Sequence, residues 1–195
     1  MADDSVRSVD INSLDLEEDE VQFNPELDAT AAAPPVPDGV YRVKPSFRGG
    51  EPPNWQAKID PATGKPTALW PKARTVFTIT EGEHEGRVLS PADNIFVSTM
   101  VRRDGSSVIP TILNAMGLAD EVKQCRKHQE LAQLFERALE QGRELKVETK
   151  REARVKQADG SYKSFVQNGS DLKAAVVIGG EEVPVYAVIK KFLAG

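Results

Sequence analysis

With one cysteine and two histidines in 195 residues, this chain has little with which to do thiol or metal chemistry. Cys125 alone cannot form an intramolecular disulfide or a cysteine-based zinc site. With no motif to activate its thiol, it reads as a small buried hydrophobe on a helix. Neither HExxH nor GxSxG occurs around His84 or His128, and no GxxxxGK(S/T) or GxGxxG sequence is present to cradle a phosphate. No apolar run approaches the roughly 20 residues of a membrane helix. The opening MADDSVRSVDINSLDLEEDE has neither the basic region nor the apolar segment of a secretory signal. A soluble, cytoplasmic protein with no membrane association, metal or cofactor is expected.

One cluster stands against that poverty. In TITEGEHEGRVL, Thr78 to Leu89, Glu81, Glu83, His84 and Glu85 crowd together between Gly82 and Gly86. As an acid/base or metal site, the cluster would make the protein a hydrolase. As a hairpin connection, its glycines supply positive φ and its carboxylates point outward. An extended segment sends alternate side chains to opposite faces and a tight turn directs them to solvent, so the turn is the stronger reading and no catalytic residue is assigned.

What the chain has is a divided charge. Residues 1 to 38 carry eleven acidic residues against Arg7 alone, a net charge of -10, whereas the remainder is +5 within an overall -5. The first of these parts, with scattered apolar residues and then ATAAAPPVPDG, is expected to be a disordered acidic tail and a proline-rich linker. The fold is expected over 39–195. Within it VYRVKPSF, ARTVFTI and RVLSPADNIFV alternate or carry strand formers, as do 145–155, 162–166, 174–178 and 183–188. Residues 48–72 read as a long loop or loose hairpin around PATGKP. Helices are expected near 108–116 and 130–141, the latter with Leu131, Leu134, Phe135, Ala138 and Leu139 on one face and Gly142 at its end. ADGS and GGEE mark two hairpins late in the chain. The pattern predicts a mainly β fold with inserted helices, closed as a small antiparallel barrel.

Aromatic residues interleave with basic ones through this body: Tyr41, Lys44, Phe47 and Arg48; Trp55 and Lys58; Trp70 and Lys72; Phe96 near Arg102 and Arg103; Tyr162, Lys163 and Phe165. Single-stranded nucleic acid is held by a positive groove that follows phosphates and by aromatic faces on which bases stack. In that reading Trp55, Trp70, Tyr162 and Phe47 stack bases while the Lys and Arg residues meet phosphates. Tyr41, Phe77 and Phe96 also suit core positions, and either tryptophan could serve as a loop anchor.

The order PxPDGVYRV, TVFTITEGEHEGRVL, ILNAMGL, QGRELKVETKREARV and a Tyr-containing hairpin resembles a family of small phage and prophage proteins encoded among recombination and replication genes. That family is regarded as binding single-stranded DNA through an oligonucleotide/oligosaccharide-binding (OB) barrel. Its Pro-x-Gly-x-Tyr pattern is matched by Pro37, Gly39 and Tyr41, and its V-x-x-G-x-x-x-G-R pattern approximately by Ile79, Gly82, Gly86 and Arg87. The resemblance covers about residues 37–168. It implies an OB-like barrel, a non-enzymatic role in DNA replication or recombination, and a bacterial or phage-infected host cytosol. The implied partners are single-stranded DNA and, through the acidic tail, replication or recombination proteins; self-association is compatible with this. The tail could also compete with DNA for the basic body, or serve solubility alone. The rival reading is a structural or adaptor protein of a phage particle or replication complex.

Overall fold

A computed structural model of the chain describes residues 35–49, 54–91, 95–156, 158, 162–166 and 175–194, without the side chains of Lys156, Tyr162 and Val166. The expected disordered tail, most of the ADGS turn and the side chain of Tyr162 lie outside the described residues.

The strands in chain order are β1 (Gly39–Phe47), β2 (Trp55–Ile59), β3 (Pro66–Pro71), β4 (Thr75–Ile79), β5 (Val88–Pro91), β6 (Leu145–Lys156), β7 (Tyr162–Val166), β8 (Ala175–Ile178) and β9 (Glu181–Leu193). Three helices, α1 (Val108–Ala115), α2 (Ala119–Gln124) and α3 (His128–Glu140), lie between β5 and β6. Strands β6, β1, β4, β5 and β9 follow one another in a sheet, and β6 also pairs with β9, so the sheet closes into a five-stranded barrel. The pairing of β5 with β9 is parallel, and the other barrel pairs are antiparallel. The barrel is therefore mixed rather than antiparallel throughout, with the OB-like arrangement in which helices join the third and fourth barrel strands.

Alternation explains the wall. Val43, Pro45 and Phe47 of β1 point inward while Arg42 and Lys44 point out. Phe77, Ile79, Leu89, Leu145, Val147 and Ile189 complete the interior, which α1 and α3 cover with Ile109, Ile112, Leu113, Leu134 and Phe135. The fold starts before Gly39: Val36 is only 2% exposed and belongs to this core. The Pro37 carbonyl accepts hydrogen bonds from the Tyr41 hydroxyl at 3.0 Å and the Thr149 hydroxyl at 3.1 Å. A Cβ on Gly39 would lie 3.4 Å from the Tyr41 ring, so the glycine leaves the ring room to fold back over the chain. These contacts give Pro37, Gly39 and Tyr41 a physical meaning as one unit.

Beyond the barrel, β6 and β9 run on together and carry β7 and β8 on their outer edges. Ala153, Val183 and Val185 form a small second core there, with Val155, Phe165, Val176 and Ile178 around it. Residues 48–74 hold a defined hairpin of β2 and β3. The strand expected within 87–97 is Val88–Pro91, and Phe96, beyond it, is 51% exposed rather than in the core. In the glutamate-rich connection Gly82 and Gly86 have φ of 86° and 81°, so the turn reading holds. Glu81, Glu83 and Glu85 are exposed, while His84 is half-buried with its ring edge-on to Tyr41 at 6.0 Å. Among the described residues no three His, Cys, Asp or Glu side chains converge as a metal would need, and no helix is long and apolar enough to cross a membrane.

Candidate nucleic-acid interface

OB folds bind oligonucleotides on the face of the second and third barrel strands and with the loops after the first and fourth. Here those strands are β4 and β5. Their outward side chains, with those of β1, are Val40, Arg42, Lys44, Ser46, Val76, Thr78, Val88 and Ser90, and none is aromatic. Arg42 is held by Glu81 at 3.3 Å and Glu144 at 3.6 Å. The Lys44 ammonium lies 3.2 Å from where a Cβ on Gly142 would stand, beside the C-terminal turn of α3, whose carbonyls attract a cation. The barrel wall alone offers no platform for a base.

The loops do. Hairpin β2–β3 occupies the connection after the first barrel strand, and β7 and β8 occupy the one after the fourth, so the residues selected from the sequence fall largely on these two connections. The two tryptophans have different fates. Trp55 packs against the main core and donates its Nε1–H to Glu136 of α3 at 2.7 Å, anchoring the hairpin to the helix. Trp70 lies along the hairpin, its Nε1–H donated to Gln56 at 2.8 Å, and its ring meets that of Phe96 at 5.9 Å between centroids. Lys58 follows on the same face of β2 as Gln56.

Beside this pair the chain gathers cations. The Arg48 N–H donates to the Arg74 carbonyl at 2.9 Å, and the Lys72 N–H to the Asn54 carbonyl at 2.9 Å. The side chains of Arg48, Lys72 and Arg74 are exposed. A groove of about 410 Å³ opens here, lined by Pro71, Arg74, Thr75, Ile95, Phe96 and Val97 among others. Ile95 is shared with a second groove of about 290 Å³ that contains Arg102, Lys190, Lys191 and the start of α1. The lysines of the second groove are engaged, Lys190 by Glu152 and Lys191 by Glu148 at 3.3 Å. Arg102 and Arg103 sit on the exposed loop before α1, which the Arg102 N–H closes onto the Ser106 carbonyl at 2.7 Å. In the same loop the Ser106 hydroxyl and N–H hold the Asp104 carboxyl below its usual range.

Besides Trp55, two selected residues do not serve as platforms. Phe47 is core, edge-to-face with Phe135 at 6.0 Å, so its ring has no face for a base. Tyr41 is half-buried with its hydroxyl spent on Pro37, and burial, followed by the charges of Asp38 and Glu83, pushes that hydroxyl's pKa up. Lys163 and Phe165 form a separate group on β7, the ammonium 5.3 Å from the ring centroid. Cys125 is half-buried against the core, and burial raises its thiol pKa, as an inert thiol requires. Sequence reasoning passed over Arg74, the residue before β4, and weighed Phe96 both as a core residue and as an aromatic beside Arg102 and Arg103. The signal for Phe96 was Pro91, the last residue of β5. Comparison with protein-family models, curated proteins and solved structures gives no match.

Proposed function

We propose that this chain is a non-enzymatic single-stranded-DNA-binding protein of OB type, acting in replication or recombination of phage DNA in the cytoplasm of a bacterial cell. The observation that carries the reading is the Trp70–Phe96 pair beside Arg48, Lys72 and Arg74, for which no acidic partner is found among the described residues. Bases stack on aromatic rings whatever their identity, and phosphates release counterions to each cation they meet. The acidic segment before Asp38, with ten acidic residues against Arg7 and so a net charge of -9, supplies a competitor for such a surface and a recruiter of basic replication or recombination partners.

The test is fluorescence anisotropy of the full chain with labelled single- and double-stranded oligonucleotides over a salt series. Single strands bind preferentially, with affinity falling steeply as salt rises. Trp70→Ala weakens binding by about 1–3 kcal/mol, the value of one stacked base. Replacing Lys72 and Arg74 with Ala weakens it on every sequence and flattens the salt slope by about two. Absence of single-strand binding at low salt would remove the proposal.

The adaptor reading draws on a different feature, the outer edges of β7 and β8, which pair with no further strand among the described residues and where Val177 is 74% exposed. Strand edges of this kind pair with extended peptides. A chain that ignores oligonucleotides and captures a protein through β8 belongs to that class.

A further inference from the structure

Thr75 begins β4 opposite Phe47, with its side chain on the inward face that Phe77 and Ile79 share. It is 3% exposed, yet it lines the 410 Å³ groove, and its hydroxyl has no hydrogen-bond partner among the described residues. A buried hydroxyl without a partner is unfavourable, and a valine of the same shape would fill the site without that penalty. Among the described residues the rest of the lining is apolar apart from Arg74 at the rim, and the exposed ring of Phe96, backed by Trp70, forms one wall. A flat, largely apolar ligand with one polar edge and an attached negative charge satisfies every one of these features. The volume falls in the ordinary range for small-ligand sites, about 300–1,000 Å³.

We infer that the groove receives one nucleobase of the bound strand, turned out from its neighbours. The base edge bonds Thr75 Oγ1, its face lies against Phe96 and its phosphate sits beside Arg74. The inference rests on the DNA-binding reading and adds to it that one base is inserted rather than all being stacked on the surface. A hydroxyl both donates and accepts, so it can serve a carbonyl or an amino edge of the base.

The experiment compares the full chain with its Thr75→Val and Ala73→Phe variants. Two labelled strands about thirty nucleotides long are used, one with bases and one abasic throughout, so that the phosphates are equal and only stacking or insertion differs. Thr75→Val removes the hydroxyl without changing shape, and Ala73→Phe fills the groove from a half-buried position on its wall. Both variants are expected to bind the strand with bases less well, Thr75→Val by about three- to tenfold, the worth of one neutral hydrogen bond. Both should bind the abasic strand as the parent does. If Thr75→Val binds both strands as the parent does, the inserted base is ruled out while salt-dependent DNA binding stands. If the parent binds neither strand, both readings fall together.

Discussion

At the scale of single residues, much of this fold depends on side chains that satisfy backbone groups. Glu130 shows it at the start of α3, where the first N–H groups have no partner within the helix. Its carboxylate reaches back to accept the N–H of Lys127 at 3.1 Å and that of Arg126, and these two bonds hold its pKa below the usual carboxylate range. Because the folded pKa is depressed, the stabilisation is fully present above the unfolded value of about 4.3 and is lost as pH falls through the folded one. Glu130→Gln is therefore expected to melt below the parent at neutral pH, with the gap closing on acidification below about pH 4. Thermal melts from neutral pH downwards check this, and a gap that stays constant would show that the charge plays no part. Position 130 was legible in the sequence as a helix start, but its bonding partners were not, since they depend on the chain turning at Arg126 and Lys127.

At the scale of elements, the strands that close the barrel were legible because each buries one face, and alternation is the signature of that condition. Hairpin β2–β3 was harder to read. Most of β2 is exposed, so burial writes no pattern into it, and a two-stranded hairpin is marginal by itself. It is held from outside, by the Trp55–Glu136 bond to α3 and by the reciprocal bonds between Leu69 and Thr99, whose N–H groups donate at 2.8 Å to the Thr99 hydroxyl and the Leu69 carbonyl. Trp55 thus acts as the loop anchor, and the hairpin it fixes carries Trp70. Trp55→Phe removes the charge-assisted bond, worth about 1.5–3 kcal/mol. Hydrogen exchange should show β2–β3 amides losing protection while β1, β4 and β6 keep theirs, and single-strand affinity should fall although Trp55 meets no base. Uniform loss of protection across the barrel would mean instead that the hairpin and barrel unfold as one unit.

At the scale of the whole folded unit, closure places an unusual demand on the segment before β1. Arg151 lies on the inward face of β6, where that strand leaves the barrel, and is only 4% exposed. Asp38 answers it: one carboxylate oxygen accepts the Arg151 backbone N–H at 2.8 Å and its Nε–H at 3.2 Å, while the other lies 3.6 Å from Lys150. The linker reading placed Asp38 outside the fold because it adds up as one more acidic residue of the tail, and composition cannot distinguish a solvated carboxylate from one that pairs across 113 residues. Removing one partner of a fully buried ion pair costs about 3–5 kcal/mol, an upper bound here because the Asp38 side chain is 26% exposed and Arg151 makes a further interaction. Asp38→Ala should lower the unfolding free energy, read as a lower urea midpoint at unchanged slope, and Asp38→Asn, which keeps an acceptor, should lower it less. A chain starting at Gly39, lacking Val36, the Pro37 carbonyl and Asp38, should be markedly less stable than one starting at Pro35. Equal midpoints for those two shortened chains would show that the barrel closes without this segment.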